Sequence, residues 1–212
     1  MKNLFHSALS LALAAGFLPL TSQAQIRITE VESSENGSNK ADWWELTNFG
    51  SSPVDITGWR MDDNSASFAS SVSLSGITSI GAGESVAFFE VAGSTPLTVQ
   101  GFQDWWGLTA AVQVGTYTGS GVGLSSTADA VNIYDSVGNL IDGVSFGAAT
   151  KGVTFGWNPE TGAFGGLSQV GVYGAFTAPQ DGDIGSPGMV PEPGTIGLLL
   201  LGAASLLLRR KN

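Results

Sequence analysis

The 212-residue sequence contains no cysteine, which excludes a disulfide framework, a thiolate zinc site, an iron–sulfur cluster and a cysteine nucleophile. Histidine is nearly as scarce, with His6 the single one. Positive charge is short as well: 8 Lys and Arg stand against 18 Asp and Glu, for a net charge of −10. Such a surface repels phosphate backbones, so no nucleic-acid partner is expected. Charged residues make up only 12% of the chain while glycine occurs 30 times, a balance that favours many turns over long salt-bridged helices.

The two ends differ from the middle. Lys2, an apolar run from Ala8 to Leu20 and the small-residue exit Ser22-Gln23-Ala24 have the order of a secretory signal peptide over residues 1–24, with cleavage expected between Ala24 and Gln25. His6 would leave with it. At the other end, Val190-Pro191-Glu192-Pro193 is followed by the uncharged run Gly194 to Leu208 and then by Arg209-Arg210-Lys211. Fifteen residues fall short of the ~20 that span a bilayer comfortably, although Met189 and Val190 can lengthen the run. The terminal cations would stay on the cytoplasmic side, leaving the rest of the chain outside.

This three-part ending, residues 189–212, resembles a PEP-CTERM sorting signal. The resemblance implies an exported Gram-negative envelope protein, transiently anchored in the inner membrane. It further implies processing at Val190, Pro191, Glu192 and Pro193 by an exosortase, a membrane transpeptidase, and an association with exopolysaccharide.

Residues 25–188 are the size of one domain and hold four basic residues against seventeen acids, a net charge of −13. Their apolar pattern has period two: Ile26 and Ile28 alternate with Arg27 and Thr29, Trp44 and Leu46 with Glu45 and Thr47, Val72 and Leu74 with Ser73, Val131 and Ile133 with Asn132. Alternation predicts half-buried antiparallel strands. Turn clusters such as Asn48 to Pro53, Gly81-Ala82-Gly83 and Ser136-Val137-Gly138-Asn139 separate them, which favours a β-sandwich or barrel. Phe102 to Leu108 breaks the pattern and predicts a short connecting helix ended by Gly107. No internal repeat is evident.

Three early segments, Ile28-Thr29-Glu30-Val31, Trp43 to Asn48 and Pro53 to Asp63, together resemble the opening of a lamin-tail domain. Ile80 to Val86, Leu124 to Asp135, Gly138 to Asp142 and the closing Gly185-Ser186-Pro187-Gly188 follow that family's order. The resemblance implies an all-β, immunoglobulin-like sandwich with an interaction role, departing from a minimal sandwich in the insertion around Phe102 to Gly123. A fold of this kind supplies no catalytic set by itself.

Without imidazole or thiol, the mature chain can hold neither a Ser-His-Asp nor a Cys-His nucleophilic system. Carboxylates are the plentiful reactive groups, and a glycosidase would need two of them flanking a bond. Glu30, Glu45 and Glu90 lie within strand patterns and are expected to face solvent as the polar alternates. Calcium is the inorganic partner such oxygen-rich surfaces suit; Asp62 and Asp63 after one strand, and Asp181 and Asp183 before the final turn, are the candidate ligands, without EF-hand spacing. Strand parity assigns Trp44 and Trp59 to the core and leaves Trp43 outside; Trp43, Trp105 and Trp106 are therefore candidate platforms for stacking a sugar ring. The glycine-rich Gly115 to Gly123 lacks the lysine and helix of a phosphate cradle. The expected function is a noncatalytic envelope or matrix module contacting exopolysaccharide or a surface protein. The alternatives are a calcium-stiffened matrix protein and a carboxylate-dependent glycoside hydrolase.

Overall fold

The alternating segments form strands in a computed structural model that describes residues 26–38, 40–93 and 96–191. In chain order they are β1 (Ile26–Glu32), β2 (Trp43–Asn48), β3 (Val54–Asp55), β4 (Arg60–Asp62), β5 (Val72–Ser73), β6 (Ser79–Ile80) and β7 (Ser85–Val91). The helix α1 (Val99–Trp106) follows, then β8 (Val114–Thr118), β9 (Asp129–Tyr134), β10 (Leu140–Phe146), β11 (Phe155–Trp157), β12 (Phe164–Leu167), β13 (Phe176–Thr177) and β14 (Ile184–Gly185).

A six-stranded sheet, ordered β12-β11-β1-β2-β7-β8, faces a four-stranded sheet ordered β10-β9-β4-β5. Pairing is antiparallel except between β7 and β8, which the α1 crossover makes parallel. Short ribbons β13–β14 and β3–β6 complete an all-β, immunoglobulin-like sandwich. The main core lies between the sheets and joins Ile28, Trp44, Leu46, Phe88, Trp59, Met61, Val131 and Ile133. Trp44 and Trp59 are thus where parity places them.

The helix also forms where the pattern breaks. Thr98 caps its start by accepting the Gly101 amide, and Gly107 closes it at φ 66, a left-handed conformation that costs glycine little. Gly138 turns β9 into β10 at φ 95.

What period two does not reveal is a second apolar layer. The outer face of the six-stranded sheet is covered by α1 and by the chain after β13, which build another core from Trp43, Ala87, Phe89, Phe102, Trp105, Trp106 and Ala178. Both faces of β2 are consequently buried from Trp43 to Asn48.

The expected signal peptide with Ala24 and Gln25, and the tail from Glu192 and Pro193 through Gly194–Leu208 to Arg209, Arg210 and Lys211, lie outside the described residues. Among the described residues no helix is long and apolar enough to cross a membrane.

Candidate functional site: a buried acidic seam beneath the closing segment

A β-bulge between Ile28 and Glu30 sets the register of β1 on β2, so that Glu30 stands directly opposite Glu45. Two like-charged side chains in that cross-strand position repel each other in water. Here both are fully buried beneath the closing segment, which corrects the expectation that they face solvent. The cause is the second layer: the outward side of this sheet is an interior.

Glu30 and Glu45 are held by donors on every side. Glu30 Oε1 accepts from Thr154 Oγ1 at 2.6 Å and from the Ser186 amide at 2.7 Å, and its Oε2 accepts from Ser186 Oγ at 3.1 Å. Glu45 Oε1 accepts from Thr29 Oγ1 and its Oε2 from the Gly188 amide, both at 2.6 Å. Hydroxyls continue the seam, with Thr29 2.8 Å from Thr47 and Thr47 2.6 Å from Ser85. The approach is close enough that a Cβ on Gly185 would come within 2.8 Å of Glu30 Oε1 and 2.9 Å of Trp106. Burial pushes the Glu30 carboxyl up to about 7 against the pull of the Thr154 and Ser186 hydrogen bonds. Burial, reinforced by the Glu30 charge, also raises Glu45 well above the usual carboxylate range. The pair therefore works as a clamp on Gly185-Ser186-Pro187-Gly188, three residues ahead of Pro191.

A second anchor fixes the same stretch farther along the sheet. Asp183 Oδ2 accepts from the Trp105 indole at 2.9 Å and its Oδ1 from the Asn36 amide at 2.7 Å, while Glu32 Oε2 accepts from the Trp43 indole at 2.6 Å. Lys40 lies over the Trp105 ring and pairs with Asp181 at 3.3 Å.

These contacts relocate several candidates. Trp43, Trp105 and Trp106 are buried to within 1%; they pack edge-on against Phe102 and Phe176, Trp43 edge-on against Trp106 and Trp105 tilted against Trp106, so they are core side chains and not sugar platforms. The proposed calcium ligands are already engaged by protein donors. Asp62 accepts from Ser65 Oγ, the Ser67 amide and Ser70 Oγ; Asp63 caps its own turn through the Ser65 amide. Asp181 and Asp183 belong to the second anchor. Among the described residues, no group of three or more acidic side chains is arranged to hold a metal ion.

Glu90 lines a separate pocket of about 200 Å³ with Glu35, Asp42 and Lys40. Burial and the Glu35 charge push Asp42 up to about 8, and burial raises Glu35 and Glu90 too. Neither Glu30 nor Glu45 reaches an open cavity. A cleft of about 300 Å³ lies beside them, walled by Thr29, Trp157, Leu167, Tyr173, Ser186 and Pro191.

Of the sorting motif, Val190 and Pro191 are described, and Pro191 is buried against this cleft. The residues that alternation alone missed are Thr154, Asp183 and Ser186. The available signal was consecutive bulk on both parities, Trp43-Trp44 and Phe88-Phe89, which marks strands covered on both faces.

Two family models match parts of the chain. One described as Lamin Tail Domain matches residues 19–148, more than half of the sequence. It stops short of the closing segment that the resemblance had included. A second, the PEP-CTERM protein-sorting motif, matches residues 190–211. Among curated proteins no relative matches the chain. The chain belongs to the Lamin Tail Domain family and ends in a PEP-CTERM sorting motif, the mark of an exported, transiently membrane-anchored protein processed by an exosortase.

Proposed function

We propose that the protein is a noncatalytic interaction module of a Gram-negative cell envelope or extracellular matrix, associating with exopolysaccharide or a surface protein once exosortase has acted on its inner-membrane-anchored tail. One observation carries the reading. Glu30 and Glu45, paired across β1 and β2, are spent on holding the closing segment and are fully buried. A hydrolase would need an acid pair open to substrate and about 5 Å or more apart, whereas Glu35 and Asp42, which share a pocket with Glu90, hydrogen-bond each other directly. The mature chain, lacking histidine and cysteine, offers no other nucleophile-base system of the common kinds.

The test is retention of the processed protein on the polysaccharide extracted from its own organism, with a parallel assay for newly released reducing ends. Retention without release is expected. Release of reducing ends would overturn the noncatalytic reading, and failure to bind either polysaccharide or envelope extract would remove the proposed association.

A further inference from the structure

In a domain with net charge −13, two stretches near the end of the chain carry no charge. From Thr161 to Gln180 there is no Asp, Glu, Lys or Arg, and none occurs from Ile184 to Pro191. These two stretches meet at the cleft beside the clamp, where Leu167, Val172, Tyr173 and Pro191 share a wall. Met189 lies over Gly174, whose Cβ, if present, would come within 3.1 Å of the Met189 Cβ. Four of the eight large hydrophobic side chains exposed among the described residues lie on these two stretches, Leu167, Val170, Val172 and Met189, with Leu167 and Val172 in the cleft wall itself. Hydrophobic side chains scattered singly need no explanation, but a cluster on an otherwise acidic surface marks an interaction face.

The chain leaves the domain from this face. Pro191 is packed into the cleft wall, and only Glu192 and Pro193 separate it from Gly194, where the apolar run to Leu208 begins. The three residue steps from Pro191 to Gly194 reach about 10 Å at most when extended. Wherever that run enters a membrane, the cleft face must sit within that distance of it.

We infer that Leu167, Val170, Val172 and Met189 form a membrane-contacting face, on which the folded domain rests against the lipid bilayer while its tail is still anchored. This rests on the anchored, pre-processing state of the proposed function and adds an orientation to it. Apolar side chains gain by entering the headgroup boundary, to a depth of ~5–10 Å, and an uncharged face loses no ionic hydration there. Anionic lipids repel the remaining acidic surface, so charge and tether select the same side.

The absence of cysteine makes the test direct. The full chain, carrying Val172→Cys labelled with an environment-sensitive fluorophore, is reconstituted into phosphatidylcholine–phosphatidylglycerol vesicles with shallow spin-labelled quencher lipids. The reference is the same label on Val137→Cys, in the exposed β9–β10 turn of the other sheet. Quenching at position 172 is expected to exceed that at 137 by at least about threefold, as headgroup insertion requires. Adding Leu167→Ser and Val170→Ser, both at exposed positions, should bring it down to the reference while the chain still floats with the vesicles.

Equal quenching at the two positions in floating vesicles overturns the face while leaving the anchoring intact. Shielding of position 172 only when exosortase is co-reconstituted also overturns it, in favour of a protein contact. A chain that does not float contradicts the anchored state itself, and the face with it.

Discussion

Replacing Glu30 by alanine is expected to destabilise the domain by about 3–5 kcal/mol, the range for truncating a fully buried side chain and orphaning its polar partners. The Ser186 amide would lose its acceptor under full burial, which alone costs about 1–3 kcal/mol. The Thr154 hydroxyl would keep Ser168 at 2.7 Å, so the damage concentrates on the closing segment. Glu30→Gln should behave differently. Its Oε1 still accepts from Ser186 and Thr154, and the Ser186 hydroxyl, now 3.1 Å from Oε2, can rotate to accept from the new amide nitrogen. Chemical denaturation is expected to place Glu30→Gln close to the parent protein at pH 5 and Glu30→Ala far below it. Equal losses in both variants would mean that shape, and not the acceptor, is what the site requires.

Raising the pH from 5 to 8 is expected to lower the melting temperature markedly. A carboxyl whose folded value lies above its unfolded value binds its proton more tightly in the folded state. The stability it contributes is complete below the unfolded value and disappears as the pH climbs through the folded one. For Glu30 the window runs from 4.5 to about 7, and for Asp42 from 3.8 to about 8. Glu45, Glu32, Glu35 and Glu90 are shifted in the same direction, burial being the first cause in each. Asp55 and Asp135 move the other way, held down by hydrogen bonds to Thr57 and Asn139, but both are fully exposed.

A shift of the Glu30 size corresponds to about 3 kcal/mol, or about 6–12 °C in a domain of this length. Glu30→Gln should remove that part of the slope and raise the melting temperature at pH 8 relative to the parent. A melting temperature that stays level or rises between pH 5 and 8 would show that these acids are ionised and stabilised in the folded state.

Much of the architecture is legible in the sequence because it is local. Alternation at Ile26–Ile28, Trp44–Leu46 and Val131–Ile133 specifies strands and their inward faces, and those residues occupy the main core. Gly107 and Gly138 mark a helix end and a hairpin through a conformation that glycine adopts readily. The acidic seam is not local. Parity distinguishes the two sides of β2 but cannot say that α1 and the chain after β13 will cover the outer one. Trp43 and Glu45, polar-side residues by that rule, therefore become interior.

The pairing of Glu30 with Glu45 depends on a bulge one residue long, and their partners Ser186 and Gly188 lie more than 140 residues away. The same distance in sequence hides Asp183, which joins Trp105 to Asn36. Its Asp181-Gly182-Asp183 context reads as a turn or a cation loop until the Trp105 indole is seen donating to Asp183.

The central claim is that the domain is closed by a segment clamped on two buried glutamates immediately before its sorting motif. Hydrogen exchange at the Ser186 and Gly188 amides measures that clamp directly, because each donates to one of the two carboxyls. Both amides are expected to exchange as slowly as those of the central strands β1 and β2, opening only with the whole domain, and Glu30→Ala is expected to speed exchange at Ser186. Exchange at the rate of an open loop in the parent protein would contradict the clamp.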